Sequence, residues 1–334
     1  MKILRFQGQG KVEIVEAPKP NCNDQTVVLK VAASALCGSE LGRLRGEKHT
    51  AEGFYNTGHE VVGIIEEAPS GSRYRPGMRV GARVVQGCGD CAFCKQGYET
   101  ACRNRVLYAS NGHAEYFRLG TKGIQPIPED ADWPQAALLT GDGLGVPVRC
   151  SRRLGNTTDH KVLVLGLGPI GLGNVLVQSF KGAEVMGADL VEFRLALAKD
   201  LGATRVVNLQ TQNLKQEVLD WTSGNGADVV ILAVGRNDAL LQAVDVIKQQ
   251  GTLFQVGEMN EATFNPSTAF IRKEITMMGS WYYTSADWNE MLALHHAGLP
   301  YQKLITHVFP FAQAQEAFDI FASSRSGKVI LTYA

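Results

Sequence analysis

Four cysteines lie close together in a glycine-rich stretch of the sequence. They form a C-x2-C-x2-C-x7-C run of fifteen residues, made up of Cys88, Cys91, Cys94 and Cys102. Four thiolates in one loop are a typical ligand set for tetrahedral Zn²⁺, and because no ligand position is left open to water, such a site is structural. The alternatives are free or disulfide-paired cysteines, or a redox C-x2-C pair that leaves the other two cysteines without a role.

A second motif, GLGPIG at 166–171, stands between an apolar strand-like run and a helix-like segment. In a dinucleotide-binding turn, glycines allow the tight bend, the approach of the pyrophosphate to the backbone and the close packing of the helix. The helix N-terminus adds N–H donors and positive potential. Asp189 ends the next apolar run, where a carboxylate accepts hydrogen bonds from the adenosine ribose. The predicted NAD-binding residues are Gly166, Gly168, Pro169, Ile170, Gly171 and Asp189; the alternative is a glycine-rich turn that binds nothing.

Three shorter motifs contain further metal-binding residue types. They are CGSE with Cys37, GHE with His59 and Glu60, and TGDG with Asp142. A cysteine, a histidine and a carboxylate can form a zinc site with three protein ligands and one position open to substrate. Their spacing does not show whether they meet in space, and a single buried cysteine or histidine is more often a packing residue. A catalytic zinc site and ordinary core residues are therefore both open interpretations of these motifs.

The elements that position these residues change in character along the chain. Residues 1–144 contain short alternating runs between glycines and prolines, which predict a mostly-β, barrel-like half. From residue 161 onward, strands and helices alternate, which predicts a doubly wound parallel sheet. The predicted helices are 169–181, 191–201, 213–222 and 237–249, and the predicted strands are 161–166, 184–189, 205–207, 228–234 and 252–256. A helix at 312–323 and a strand at 328–333 are expected to return to the first half.

The composition indicates a globular protein with more than one hydrophobic core. The 334 residues exceed the roughly 250–300 at which a single core stops growing. With 45% hydrophobic and 20% charged residues, a disordered chain is excluded. Lys+Arg and Asp+Glu both number 33, so no global basic field is present and no nucleic-acid partner is expected. Glycines interrupt the apolar segment 161–181 and no secretory signal is visible, so we expect no membrane span and a cytoplasmic location.

Taken together, these motifs resemble the zinc-dependent medium-chain alcohol and polyol dehydrogenases. The family's marks occur in the family's order: CGSE at 37–40, GHEVVG at 58–63, the four-cysteine run, GLGPIG at 166–171, Asp189, GADVVI at 226–231 and SGKVIL at 326–331. The resemblance covers essentially the whole chain.

This resemblance implies an α/β fold with two domains, one of them discontinuous. A mostly-β, GroES-like catalytic zinc domain is expected at 1–144 and 279–334, with a structural zinc lobe at about 87–102. A Rossmann domain that binds NAD is expected between the two parts, at 145–278.

The resemblance also implies roles for individual residues. Cys37, His59 and Asp142 match the catalytic zinc ligands, and Glu60 matches a residue that enters the coordination sphere in some states. Ser39 matches the hydroxyl group that accepts the alcohol proton. Lys328 matches a basic residue that reaches the cofactor pyrophosphate or pairs with the acid beside the ligand histidine. Arg194 is expected to pack against the adenine or its ribose.

Two positions depart from the family pattern. Glu40 stands where relatives usually have Asp, a carboxylate that orients the histidine ligand. Gly42 takes the place of a histidine that releases the proton in many relatives. Either water completes the proton relay here or another group such as His49 does, and an exposed His49 without a role is the alternative.

The sequence as a whole predicts an enzyme that uses two zinc ions per chain and NAD. The expected reaction is hydride transfer between a small-molecule secondary alcohol and NAD, giving a ketone. The CGS motif, Asp142 and GSWYY at 279–283 resemble the polyol and sugar-alcohol branch, which is sorbitol dehydrogenase-like. A threonine-type or simple secondary-alcohol dehydrogenase and a non-catalytic NAD-binding redox sensor are the alternatives. The family resemblance and the apolar GSWYY segment predict a homodimer or homotetramer.

Overall fold

The structure, a computed structural model, describes residues 1–47 and 53–334, so that His49 lies outside the described residues. The chain forms two compact units. The first comprises Met1–Gly145, Thr284–His295 and Tyr301–Ala334, and the second comprises Val146–Tyr283 and His296–Pro300. The chain passes from the first unit to the second and back. Its main return falls at Thr284, whereas the sequence predicted residue 279.

The described residues form strands and helices in a mixed order. The strands are β1 (Lys2–Gly8), β2 (Lys11–Glu16), β3 (Thr26–Ala35), β4 (Glu60–Glu67), β5 (Arg79–Ala82), β6 (Val85–Gln86), β7 (Val106–Leu107), β8 (Tyr116–Gly120), β9 (Ile124–Pro126), β10 (Lys161–Leu165), β11 (Glu184–Asp189), β12 (Arg205–Asn208), β13 (Ala227–Leu232), β14 (Ile247–Gln255), β15 (Thr276–Gly279), β16 (Ile305–Pro310) and β17 (Lys328–Thr332). The helices are α1 (Leu41–Leu44), α2 (Ala92–Lys95), α3 (Trp133–Leu139), α4 (Asp142–Leu154), α5 (Pro169–Phe180), α6 (Glu192–Asp200), α7 (Leu214–Trp221), α8 (Asn237–Val246), α9 (Ser285–His296) and α10 (Ala314–Ala322). No helix in this part of the chain is long and apolar enough to cross a membrane.

The first unit is built around a seven-stranded sheet. Its strand order is β16-β17-β3-β4-β5-β9, with β8 also paired to β3, and all pairs are antiparallel except β16 with β17. Strand β3 reads TVVLKVAASA and is buried along almost its whole length, since it pairs with three other strands. The C-terminal strand β17 joins this sheet beside β3, which confirms the predicted return of the chain to its first half.

The second unit is a parallel α/β sheet. Its strand order is β12-β11-β10-β13-β14-β15, and every neighbouring pair is parallel. The strands β10 (KVLVL) and β13 (ADVVIL) are almost continuously apolar, as expected for parallel strands with both faces covered. The order reverses between β10 and β13, and such switch points bind nucleotides in doubly wound folds. The predicted fold class, a sheet-rich GroES-like part with a Rossmann part, is confirmed.

One predicted helix boundary is wrong. The sequence predicted a helix at 237–249, but α8 ends at Val246 and β14 begins at the next residue. Lys273 accounts for the early end, because its ammonium group occupies the last carbonyl groups of the helix. Its Nζ donates to the carbonyl oxygens of Val244 (2.5 Å), Asp245 (3.0 Å) and Ile247 (3.1 Å). A cation at a helix C-terminus satisfies carbonyl groups that have no amide partners and interacts favourably with the helix dipole.

We expect Lys273→Met to lower the free energy of unfolding by about 1–3 kcal/mol, since hydrogen bonds to a charged donor contribute about that much. Urea unfolding followed by circular dichroism measures the change. Lys215→Met is the matched control, because Lys215 makes only an exposed ion pair with Asp245 and such pairs contribute about 0–1 kcal/mol. Equal losses in both variants would contradict the capping role of Lys273.

Candidate metal and cofactor sites

The four cysteines of the C-x2-C-x2-C-x7-C run meet in the first unit. The sulfur atoms of Cys88, Cys91, Cys94 and Cys102 all lie within 4.8 Å of one another. Cys94 Sγ is 3.5 Å from Cys91 Sγ and 3.9 Å from Cys88 Sγ. A disulfide needs about 2.05 Å, whereas sulfur atoms about 2.3 Å from a tetrahedral zinc are about 3.8 Å apart. The cluster therefore fits zinc, and the disulfide alternative is excluded in this structure.

The thiols of this cluster need a cation before all of them can ionise. Backbone hydrogen bonds from Asp90 and Cys91 lower the pKa of Cys88 to about 6, although Cys88 is half-exposed. Burial raises the pKa of Cys94 to about 12. At neutral pH a metal ion is what makes both sulfur atoms thiolates at once, because metal binding favours the deprotonated ligands.

The lobe also depends on a glycine beside Cys94. A Cβ atom at Gly87 would lie 2.2 Å from Cys94 Sγ, so any side chain there displaces the sulfur. The lobe is held to the rest of its unit by Glu99, whose carboxylate accepts a hydrogen bond from Ser285 N (3.1 Å) and pairs with Arg83 (3.3 Å). Gly87 therefore allows the cysteine sulfur atoms to converge, and Glu99 anchors the lobe that carries them.

We expect Gly87→Ala to remove one zinc ion per chain and to lower the melting temperature, because the added methyl group moves Cys94 out of the cluster. Plasma mass spectrometry counts the zinc, and a thermal scan reports stability. Gly168→Ala is the control for zinc content and stability, since a Cβ atom there meets nothing within 4 Å and its φ of −64° suits alanine. A Gly87→Ala protein that keeps two zinc ions would contradict this assignment.

A second cluster forms where β3 ends and where β4 and α4 begin. Cys37 follows the end of β3, and His59 precedes the start of β4. The two strands are antiparallel with Ala35 opposite Glu60, so the end of one lies beside the start of the other. One ligand atom from each of Cys37, His59, Glu60 and Asp142 lies within 4.8 Å of the others. The structure thus brings together the residues that sequence spacing did not join.

The geometry of His59 and Asp142 fits a shared metal ion. His59 Nε2 lies 3.3 Å from Asp142 Oδ2, and ligand atoms about 2.1 Å from a tetrahedral zinc are about 3.4 Å apart. The other ring nitrogen of His59 is 2.7 Å from the carbonyl oxygen of Thr57, which fixes the ring orientation. Asp142 Oδ1 is buried and has no hydrogen-bond partner among the described residues. A metal ion would satisfy this orphaned acceptor.

The charges of the cluster also fit a divalent cation. In their metal-binding forms Cys37, Glu60 and Asp142 are negative, and Lys328, ion-paired to Glu60, returns one positive charge. Burial lowers the pKa of His59, but the charges of Cys37 and Asp142 outweigh it and raise that pKa well above its usual value. The excess of negative charge is therefore large enough to demand a positive charge among these residues.

Lys328 is deeply buried and forms an ion pair with Glu60. Its ammonium group is paired with the Glu60 carboxylate and also donates to the carbonyl oxygen of Leu36 (3.2 Å). Burial lowers the pKa of Lys328, yet Glu60 outweighs this and raises it above the ordinary value. Of the two contacts that the resemblance implied for Lys328, the structure contains the one to the acid beside the ligand histidine.

Glu40 contacts different groups from those that the resemblance implied. Its carboxylate lies 2.9 Å from His113 Nε2 and accepts a hydrogen bond from Cys37 N (2.9 Å), so it is directed at His113 instead of His59. Burial raises the pKa of Glu40, but His113 outweighs burial and lowers it. Sequence reasoning missed His113, because a single histidine in NGHAEYF carries no motif. Ser39 is exposed in the 3-10 turn Gly38–Glu40, and Gly42 lies in α1.

The GLGPIG turn connects β10 to α5 in the second unit. Gly166 has φ +91°, and a Cβ atom at Gly171 would lie 1.9 Å from the Gly166 carbonyl oxygen, so both positions require glycine. A Cβ atom at Gly168 would meet nothing within 4 Å. Pro169 and Ile170 open α5, and proline suits the first helical turn. The turn therefore leaves open space beside a helix N-terminus, which fits a pyrophosphate.

Asp189 ends β11 and holds the glycine turn in place. Its Oδ2 accepts a hydrogen bond from Leu167 N (2.6 Å), and its Oδ1 accepts from the next two residues, Leu190 N (2.7 Å) and Val191 N (3.0 Å). A carboxylate has about four lone-pair sites, so acceptor capacity is left for one ribose hydroxyl group. Arg194 lies within electrostatic range: burial lowers its pKa, and the Asp189 charge opposes this.

Comparisons with known proteins agree with this architecture. The description "Alcohol dehydrogenase GroES-like domain" matches residues 23–129, and "Zinc-binding dehydrogenase" matches residues 169–297. An L-threonine 3-dehydrogenase from Xanthomonas axonopodis pv. citri is 30% identical over 334 residues, covering 96% of each chain. Galactitol-1-phosphate dehydrogenase from Escherichia coli has a TM-score of 0.88 at 26% identity, covering 99% of this chain and 100% of that one. Alcohol dehydrogenase TADH from Thermus sp. ATN1 shares the fold, with a TM-score of 0.90 at 23% identity and full coverage of both chains.

The chain belongs to the zinc-dependent medium-chain alcohol dehydrogenase family. It is accordingly an oxidoreductase of a zinc-binding, NAD-dependent class, and its two metal-ligand clusters suit that class.

Asp189 generates a prediction about cofactor choice. NADP carries a phosphate where NAD has a ribose hydroxyl, and two like charges about 4 Å apart at an effective dielectric near 20 repel by roughly 4 kcal/mol before screening by salt. Even half of that is about thirtyfold in affinity. We expect kcat/KM to be at least tenfold higher with NAD than with NADP, and we expect Asp189→Ser to reduce this ratio.

Initial rates with both cofactors measure this preference. Asp200→Ser is the control, because Asp200 is an exposed acid at the end of α6 in the same unit. Equal use of NAD and NADP by the unmutated protein would overturn the role given to Asp189.

Proposed function

We propose that this chain interconverts a secondary alcohol and a ketone with NAD as the hydride acceptor, at the Cys37, His59, Glu60 and Asp142 cluster. The observation that carries the proposal is the meeting of these four donors, with an orphaned Asp142 oxygen and an excess of negative charge. The first unit is then the catalytic zinc domain and the second is the Rossmann NAD-binding domain.

The four residues of this cluster have two different roles in the proposed reaction. Cys37, His59 and Asp142 hold the zinc ion, which when bound supplies a Lewis acid for the substrate oxygen. Glu60 is tied by Lys328 and by a long hydrogen bond from Gly143 N (3.3 Å). With its carboxylate tied in this way, Glu60 would be a further donor that enters the coordination sphere in some states.

Ser39 is the proton acceptor in this proposal. It lies two residues after Cys37 in an exposed 3-10 turn, so its Oγ is open to substrate and to water. Ser39 Oγ would accept the hydroxyl proton of the alcohol while its own hydroxyl proton passes to water, and NAD, when bound, would accept the carbinol hydrogen as hydride. Because Gly42 has no side chain, water carries the proton onward.

The glycine turn and Asp189 bind the cofactor in this proposal. Gly166, Gly168, Pro169, Ile170 and Gly171 receive the pyrophosphate, Asp189 accepts from the ribose, and Arg194 packs beside it. Lys328 is assigned to charge balance at the zinc, since it is buried and already paired with Glu60.

Two substrate classes compete within this function. A polyol or sugar alcohol is our first candidate, on the CGS motif and Asp142 together with the resemblance to galactitol-1-phosphate dehydrogenase. A threonine-type substrate is the second, because several curated relatives about 30% identical are L-threonine 3-dehydrogenases. We also propose a homodimer or homotetramer, supported by the β15 edge strand and the exposed Met277 and Trp281.

A substrate panel tests the function directly. The purified protein is assayed for NADH formation with polyols, cyclic polyols, sugar alcohols, L-threonine and short secondary alcohols. A rate confined to polyols supports the first class, and a rate confined to threonine selects the second. A protein that binds NAD and two zinc ions but oxidises none of them would overturn the proposal in favour of a redox sensor.

We expect Ser39→Ala to keep both zinc ions and NAD affinity but to lose about 10²-fold or more in kcat, since general-base transfer contributes about that factor. Stopped-flow absorbance at the NADH band measures the rate. Ser323→Ala is the control, as Ser323 is an exposed serine that donates to a carbonyl at the end of α10. Near-wild-type turnover of Ser39→Ala would assign the proton to water or another group.

A further inference from the structure

A line of buried polar side chains lies next to the Cys37 loop. His113 is at its centre: Nδ1 is 2.8 Å from Ser34 Oγ, and Nε2 is 2.9 Å from Glu40 Oε1. Ser34, Glu40 and His113 are each 0% exposed. Both nitrogen atoms of the imidazole are therefore committed to protein partners inside the first unit.

This Ser34, His113 and Glu40 arrangement has the hydrogen-bond order of a hydrolytic triad, but it cannot act as one. A nucleophile must reach its substrate, and Ser34 is fully buried in β3. Its hydroxyl group is also bonded to Tyr333 Oη at 2.9 Å. Ser34 is therefore not a nucleophile, and this line of residues holds neighbouring groups in place.

Glu40 connects this line to the first metal ligand. One oxygen of its carboxylate is bonded to His113, and the other accepts a hydrogen bond from the backbone N–H of Cys37 at 2.9 Å. A buried carboxylate is stable only when its oxygens are paired. His113 thereby holds Glu40, and Glu40 fixes the backbone from which the Cys37 sulfur projects.

The backbone of His113 connects the same line to the second ligand. The buried Asn56 Oδ1 accepts hydrogen bonds from both His113 N (3.1 Å) and Gly58 N (3.0 Å), and Gly58 immediately precedes His59. Gly112 N also donates to Gly58 O at 3.0 Å. The approach is so close that a Cβ atom at Gly58 would lie 2.7 Å from His113 N.

We propose that His113 is a positioning residue that sets the spacing between the Cys37 and His59 metal ligands. Its side chain holds the Cys37 loop through Glu40, and its main chain holds the segment before His59 through Asn56. Both contacts are made between protein atoms, and together they fix the separation of the two segments that carry the ligands. This inference rests on the proposed function, because it concerns the same catalytic cluster.

The test compares His113→Phe with His113→Gln. Phenylalanine keeps a ring beside Phe318, whose ring centroid is 5.8 Å from that of His113, but loses both polar contacts. Glutamine restores a donor towards Glu40. His295→Phe is the matched control: His295 also bonds a tyrosine, Tyr301 (2.8 Å), and an acid, Asp130 (3.1 Å), and it lies outside the line of residues that leads through Glu40 to Cys37.

Zinc affinity is measured by competition with a chromophoric chelator, with the four-cysteine zinc as the internal reference. The absorption spectrum of the Co²⁺-substituted catalytic site reports the ligand geometry independently of turnover. We expect His113→Phe to weaken the catalytic zinc by about 10–100-fold, as loss of outer-shell partners usually does, and to shift the Co²⁺ spectrum. His113→Gln should recover most of the affinity, and His295→Phe should leave both zinc affinities unchanged.

Three results would overturn the inference. These are unchanged catalytic zinc affinity in His113→Phe, an equal loss of both zinc ions in that variant, and a failure of His113→Gln to recover any affinity. A wild-type protein that binds only the four-cysteine zinc would instead contradict the proposed function, and the inference would fall with it. The zinc content of the unmutated protein therefore separates the two failures.

Discussion

The antiparallel register of β17, β3 and β4 is the constraint on which the catalytic cluster depends. Ala35 lies opposite Glu60 on β4 and opposite Ile330 on β17, so the end of β3 meets the starts of both neighbours. A slip of one residue in this register would turn every side chain of the shifted strand to the other face of the sheet. The same hydrogen bonds that build the apolar core of the first unit thus also set which polar side chains share its edge.

Two buried pairs handle the electrostatic cost of placing carboxylates at this edge. Glu60 forms an ion pair with Lys328, and Glu40 is hydrogen-bonded to His113 and to Cys37 N. An unpaired buried charge destabilises a fold by several kcal/mol, so removal of either partner affects more than one contact. With these two carboxylates already matched, Cys37 and Asp142 supply the negative charge that remains for a cation. The pairing therefore explains why the ligand set suits a divalent ion.

How much was predictable from the sequence depends on whether a feature is local. The four-cysteine lobe and the GLGPIG turn each close within fifteen residues, so spacing, together with the strand and helix that flank the glycine turn, was enough to predict their chemistry. His113 acts on Glu40, 73 positions away, and no local pattern identifies such a partner. The pairing of Lys328 with Glu60, 268 positions away, was implied by the family resemblance and not by spacing. The end of α8 was missed for the same reason, since Lys273 caps it from another segment. Propensity describes a helix, but tertiary contacts decide where it stops.

Asp189 illustrates how one side chain ties the cofactor site to the fold. Its carboxylate accepts hydrogen bonds from Leu167 N in the glycine turn and from the N–H groups of Leu190 and Val191, the two residues after Asp189. These bonds hold the turn against the end of β11 whether or not a dinucleotide is bound. A substitution that removes the carboxylate also leaves the buried Leu167 N–H unpaired, which costs about 1–3 kcal/mol. Cofactor preference in this chain is therefore coupled to the stability of the turn, and a replacement that keeps an acceptor at this position separates the two effects.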